Sequence, residues 1–280
     1  MALAGEGAGP VRLYSLPSGE PKWVGDSAGP ATAVSFIGSG DRLATGHTDG
    51  TLVVWNLVTR SPLATVRAGP VVSLAASSNG SWLAAGGSDG VVQLWELASM
   101  TRTDVDPPPG SVVRGLTFSP DDRSLVSTYS VPSTQYPVLS TATPVSSPRS
   151  GGAEDSLICS WRVPDLARQY SVDGPGGAAS ALAFCLAGKT LATCGRDNRI
   201  TLWSGSPPRV IGVLEARFTE RLQTLAATPD GRTLVCGGGP RQPNGEPLGG
   251  VEAWNVEAIH RAVLDNGLAD WFDADEQVGK

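Results

Sequence analysis

A leucine followed twelve residues later by a tryptophan recurs three times in this chain, and that repeat constrains the fold more than any other feature. The segments are LATGHTDGTLVVW (43–55), LAAGGSDGVVQLW (83–95) and LATCGRDNRITLW (191–203). Each reads as a small-residue strand, a turn built on Asp, and an alternating apolar strand that ends on Trp. Two further copies are stretched: Leu125 to Trp161 spans 36 residues, and Leu234 to Trp254 spans 20. A weaker sixth copy opens the chain at ALAGEGAGPVRLY (2–14), with Tyr14 in the Trp place and Ala8 in the Asp place.

Seven residues upstream of each leucine stands another apolar position, at Phe36, Ala76, Phe118, Phe184 and Ala227, with polar turns such as SPDDRS (119–124) between. A strand-like stretch such as Pro62–Val66 follows the Trp. One repeat is therefore four short strands, here called a to d. Asp49-Gly50 and Asp89-Gly90 predict type I′ hairpins between b and c, because that turn needs residues that tolerate φ > 0. In strand c, Leu52 and Val54 face one way and Val53 and Trp55 the other, so both faces must be covered. Radial stacking of like sheets covers both.

The pattern resembles the WD-repeat (tryptophan–aspartate repeat) family of β-propellers over almost the whole chain. The resemblance implies that Trp55, Trp95, Trp161, Trp203 and Trp254 form inter-blade core, and that Asp49, Asp89 and Asp197 match the family's structural Asp. There are departures. The residue after the Trp is Asn56, Glu96, Arg162, Ser204 or Asn255, never Asp. The Gly-His pair between blades is absent, and Ala28-Gly29 and Ala68-Gly69 stand in comparable places. With only His47 and His260 in the chain, the family's His–Ser/Thr–Asp–Trp network cannot form in full.

Without the two insertions, of 24 and 8 residues, 248 residues remain, which is six repeats of about 41. Residues 2–5, 11–15 and 21–24 match strands b, c and d, and strand a is missing at the N-terminus. Leu268–Phe272 offers one, beyond a strand-d segment at His260–Leu264. The expectation is an all-β, six-bladed propeller forming a single domain over 1–280, its first blade closed by both chain ends. The alternative is a piece of a seven-bladed or longer protein, since a period fixes phase and not blade number.

Composition narrows the function. The 35 Gly and 22 Pro read as many tight turns. A net charge of −6 offers no basic surface for nucleic acid. Cys159, Cys185, Cys194 and Cys236 form no Cys-x-x-Cys and have no His at ligand spacing, so neither metal nor cofactor is expected. MALAGEGAGP lacks the basic and apolar regions of a secretion signal, and no stretch approaches 18 apolar residues. A cytoplasmic protein without a membrane span is the expectation.

The b–c and d–a connections of such a meander share one rim. Both insertions, about 129–155 and 238–250, lie on it. The first is rich in Ser, Thr and Pro, too polar to offset its ordering entropy, so a flexible loop is expected. Candidate partner-binding residues are His47, Thr48, Ser88, Arg196 and Arg199 in the short turns, and Tyr136, Arg149 and Arg241 in the insertions. The resemblance implies that this face binds partners, although each residue taken singly reads more simply as a solvated turn. Trp23, Trp82 and Trp271 fall outside the repeat's Trp position and become hot-spot candidates if exposed. Gly5-x-Gly7-x-Gly9 lacks the flanking strand and helix of a phosphate cradle. The acidic tail Asp270, Asp273, Asp275 and Glu276 lacks Ca²⁺-loop spacing. Two functions remain: a non-catalytic scaffold that binds a protein or peptide, or a propeller hydrolase of glycosidase or lactonase type with its site on the central channel. Strand a reads AVSF, VSLAA, GLTF, ALAF and TLAA, with no carboxylate or His. That favours the scaffold.

Overall fold

Small residues and β-branched or aromatic residues recur through the repeats, and among the described residues nearly every regular element is a strand. The computed structural model describes residues 2–3, 11–14, 18, 20–25, 30–132, 154–174, 179–216, 221–238 and 250–259. Strands β1 (Ala2–Leu3), β2 (Val11–Tyr14) and β3 (Pro21–Gly25) form a three-stranded sheet. A four-stranded sheet follows from β4 (Ala31–Ile37), β5 (Arg42–His47), β6 (Thr51–Asn56) and β7 (Ser61–Arg67). The next comprises β8 (Val71–Ala76), β9 (Trp82–Gly87), β10 (Val92–Glu96) and β11 (Thr101–Val105). Then come β12 (Val112–Phe118), β13 (Ser124–Pro132), β14 (Glu154–Arg162) and β15 (Arg168–Asp173). Strands β16 (Ala179–Cys185), β17 (Thr190–Gly195), β18 (Arg199–Ser204) and β19 (Arg209–Glu215) make the last sheet of four. A sheet of three closes the described chain: β20 (Leu222–Ala227), β21 (Thr233–Gly238) and β22 (Gly250–Asn255).

Five of these sheets possess a strand a, at β4, β8, β12, β16 and β20. They are the five blades of the structure, where six were expected. The first sheet holds only the b, c and d strands, and Leu268–Phe272 lies outside the described residues. The register of that sheet also corrects the sequence match. Ala2 pairs with Leu13 as Ala44 pairs with Val54, so Ala2 takes the place of Ala44 and not of Leu43. A Gly-rich connection does not fix register by itself. In the fourth sheet, β13 runs to Pro132 and buries Tyr129 completely, so strand b continues into the segment read as insertion. Residues 133–153 and 239–249 lie outside the described residues.

The chain divides into two compact units, Met1–Ser127 with Arg162–Ala167, and Thr128–Trp161 with Arg168–Lys280. Within the first unit β4 lies against β8, and β8 against β12. The two faces of strand c go to different cores, as the alternation demands. Leu52 and Val54 join Val71, Leu83 and Trp95, whereas Val53 and Trp55 join Val11, Ala31 and Leu43. Burying each such side chain contributes about 1.5–3 kcal/mol. The small residues of strand b now have a reason: a β-carbon on Gly46 would collide with Val71, and one on Gly86 with Val113. In the second unit β16 lies against β20, and Cys194, Ile200, Leu202, Leu222 and Leu234 share one core.

Strand a carries a repeated irregularity. Its pairing with strand b skips one residue near the start, at Thr32, Val72, Ser180 and Gln223. Each skip is a β-bulge, which bends the strand and re-aims the extra side chain.

Candidate partner-binding rim

The rim is built from the b–c turns. In the first unit, Gly50 N donates to His47 O (3.1 Å) and Gly90 N to Gly87 O (3.2 Å). Gly50 and Gly90 both have φ of +81°, while the two residues before each keep negative φ. The turn is thus type I closed by a left-handed glycine, a three-residue loop and not the expected type I′ pair. The cause is the Asp side chain. Asp49 Oδ1 accepts from Thr51 N (2.9 Å) and Asp89 Oδ1 from Val91 N (3.1 Å). That local bond holds each Asp in ordinary backbone geometry and leaves only the glycine left-handed. Crowding adds to the requirement, since a β-carbon on Gly90 would lie 2.6 Å from Ser111 Oγ.

Thr48 and Ser88 are exposed at the head of these turns. His47 is not: it is 1% exposed, which corrects its placement on the rim. Strand b extends through His47, and residues 43, 45 and 47 share the face that carries Trp55. There the Trp55 Nε1–H donates to Thr45 Oγ1 (2.9 Å), and Thr45 Oγ1 lies 2.8 Å from His47 Nε2. A Trp–Thr–His chain therefore forms within one blade. The period-two rule applied to Leu43-x-Thr45-x-His47 would have found it. Asp49 lies outside that chain. Two hydrogen bonds from Thr51, aided by Arg67 and His47, hold its carboxyl below the ordinary 3.8.

The second unit repeats the turn with Asn198 in the glycine place, at φ +61°. Asn198 N donates to Gly195 O (3.4 Å), and Arg199 N to Asp197 Oδ1 (3.2 Å). Asp197 is half-buried, and burial pushes its carboxyl above 3.8. Arg196 and Arg199 are exposed, and Arg199 Nη2 pairs with Glu215 Oε1 at 3.1 Å. Trp203 Nε1–H donates to Thr193 Oγ1 (2.9 Å), the counterpart of the Trp55–Thr45 bond.

Trp55, Trp95, Trp161 and Trp203 are buried, while Trp254 is half-buried on β22. Trp82 is half-buried at the start of β9. Tyr136, Arg149, Arg241, Trp271 and the Trp23 side chain lie outside what the structure describes. One residue escaped the sequence reading: Arg114 on β12, just ahead of the GLTF stretch. Burial pushes the Cys159 thiol up to about 11 and those of Cys185 and Cys194 up to about 12, which makes them poor nucleophiles. Among the described residues no group of three or more His, Cys, Asp or Glu is placed to hold a metal, and no helix is long and apolar enough to cross a membrane.

The family described as WD domain, G-beta repeat matches residues 19–56, 60–96 and 167–204. Among matching solved structures, the β-propeller domain of Myceliophteria thermophila Cps50 (Swd1) superposes with a TM-score of 0.60 at 19% identity. The match covers 75% of this chain and 62% of that one. Three stretches of this chain match the WD repeat, and its sheets are the blades of a β-propeller. No curated protein matches the chain. In this propeller the repeat's Trp is buried in four of five blades, while Thr48, Ser88 and Arg196 at the heads of the described b–c turns are exposed.

Proposed function

We propose that this propeller is a non-catalytic interaction scaffold that binds a protein or peptide through its b–c rim. The observation that carries the reading is the construction of the turn. Backbone bonds, an Asp side chain and a left-handed residue fix its shape, so that shape does not depend on which side chain stands ahead of the Asp. That residue is Thr48, Ser88 or Arg196, exposed in each case. A rigid support with variable exposed tips suits recognition. Catalysis by acid–base or metal chemistry needs converging ionisable groups, which strand a does not carry as carboxylate or His. Four reduced, buried cysteines suit a cytoplasmic setting.

The test is capture of partners from the source lysate with the full chain. A variant carrying Thr48→Glu, Ser88→Glu, Arg196→Glu and Arg199→Glu is compared with Val58→Glu on a c–d turn, a residue 75% exposed. Wild type and Val58→Glu should retain a common partner that the fourfold variant loses. Retention of every partner by the fourfold variant would remove the rim from consideration.

A further inference from the structure

We propose that Arg114 is the group through which this rim reads its partner, by taking a carboxylate from an acidic peptide segment. The inference rests on the scaffold reading and names the chemistry of what is bound. Its ground is a contrast between blades. Among the described residues of β4, β8, β12, β16 and β20, Arg114 is the single charged side chain. The matching positions in the other four blades are Thr32, Val72, Ser180 and Gln223, the bulge residues of strand a. The fold thus accepts a short polar or apolar residue there and does not require a charge. A charge at this place in strand a is thus particular to one blade.

Placement supports use by a ligand. Val113 sits where a β-carbon on Gly86 would strike it, and Ser111 Oγ lies 2.6 Å from the β-carbon position of Gly90. The entry to β12 therefore packs against the turn that presents Ser88, and Arg114 follows directly. It remains accessible at that end of the strand, being half-buried. Arg114 already has an interaction within the chain. A guanidinium carries five N–H donors in a planar fork. The fork matches a carboxylate through two parallel hydrogen bonds, and partial desolvation strengthens such a pair relative to an exposed one. A single guanidinium suits a monoanionic carboxylate, whereas a phosphate dianion is served by a cluster of cations.

The net charge of −6 makes the test selective, because the chain as a whole repels polyanions. Fluorescein-labelled hexaglutamate and hexalysine are titrated with the full-length protein at low ionic strength and followed by anisotropy. The wild type should bind hexaglutamate despite the overall repulsion, and Arg114→Gln should weaken it about tenfold or more. Arg114→Lys keeps the charge without the fork and should lose several-fold, which carries the test if the Gln variant fails to fold. Arg209→Gln, on β19, should change nothing. No hexaglutamate binding by the wild type, or equal binding by folded Arg114 variants, overturns the proposal. If hexaglutamate binding ignores Arg114 while the fourfold rim variant still loses its captured partner, the Arg114 assignment alone falls.

Discussion

The blades β4–β7 and β8–β11 bury the same positions through strand b and its turn, yet they treat the same tryptophan differently. In the first, Trp55 donates to Thr45, which in turn meets His47. In the second, Ala85 and Gly87 stand in those places, and the Trp95 indole N–H has no hydrogen-bond partner. The Arg102 guanidinium lies over the Trp95 ring, 5.6 Å from its centre. Both tryptophans are equally buried, at 5% and 6% exposure. The ring is therefore placed by packing between sheets, and the polar chain beneath it is an addition that one blade has and its neighbour lacks.

The largest effect should come from the feature the two blades share. Trp55→Ala and Trp95→Ala each remove a buried ring and should destabilise by about 3–5 kcal/mol. Urea unfolding of the two variants should give losses of similar size. A Trp95→Ala loss far below that of Trp55→Ala would show that the hydrogen bond, and not packing, holds the ring.

That shared feature is also what made the fold legible. Leucine and tryptophan twelve residues apart recur because each must reach a core between sheets, and burial imposes period and spacing on sequence. Features without such a period were lost. The Asp-Gly dipeptide beside His47 marks it as a turn residue, whereas its alternation with Leu43 and Thr45 marks it as core. The GLTF run starts at Gly115, so the sequence pattern leaves Arg114 outside strand a, whereas β12 begins at Val112. The turn at Leu186–Gly188 shows a third kind of loss. Its spacing, Phe184 to Leu191, matches that of Phe118 to Leu125. In the latter, Ser119 Oγ donates to Asp121 Oδ1 (2.6 Å) and accepts from Ser124 N (2.9 Å). Cys185 and Ala187 replace that Ser and Asp, and without the cap the backbone turns left-handed, with φ of 50°, 55° and 86°. Of the rim, the exposed tips were legible as polar turn residues. What they meet in a partner is written in no local pattern.

A smaller effect separates the two blades. Thr45→Val keeps the shape but removes the hydroxyl that Trp55 and His47 both contact, and should cost about 1–3 kcal/mol. The reciprocal change, Ala85→Ser, supplies an acceptor near the Trp95 N–H at little added volume and should stabilise by up to about 1 kcal/mol. Denaturant midpoints measure both. If Ala85→Ser destabilises as much as Thr45→Val, the polar chain depends on more than one hydroxyl, and the blades differ in packing after all.

The smallest effect concerns the turn Asp, and it sets the β5–β6 turn against the β17–β18 turn. Asp49 is exposed, and the bonds from Thr51 lower its carboxyl, so the charged form is favoured on folding. Its contribution is present above the unfolded value near 3.8 and is lost as pH falls through the lower folded value. Asp197 has the opposite sign. Burial raises its carboxyl, so the folded state favours the neutral form, and the charged group weighs against folding above the raised value. Asparagine can cap either turn through its carbonyl oxygen. Asp49→Asn should therefore lower the urea midpoint at pH 7, with the gap closing as the medium is made more acidic than about pH 4. Asp197→Asn should leave the midpoint unchanged or raise it at pH 7, and any gain should shrink as pH falls toward the same value. Two variants of one motif should thus diverge at neutral pH and converge in acid. Parallel pH profiles would mean that the two carboxyls share one environment, contrary to the burial that distinguishes them.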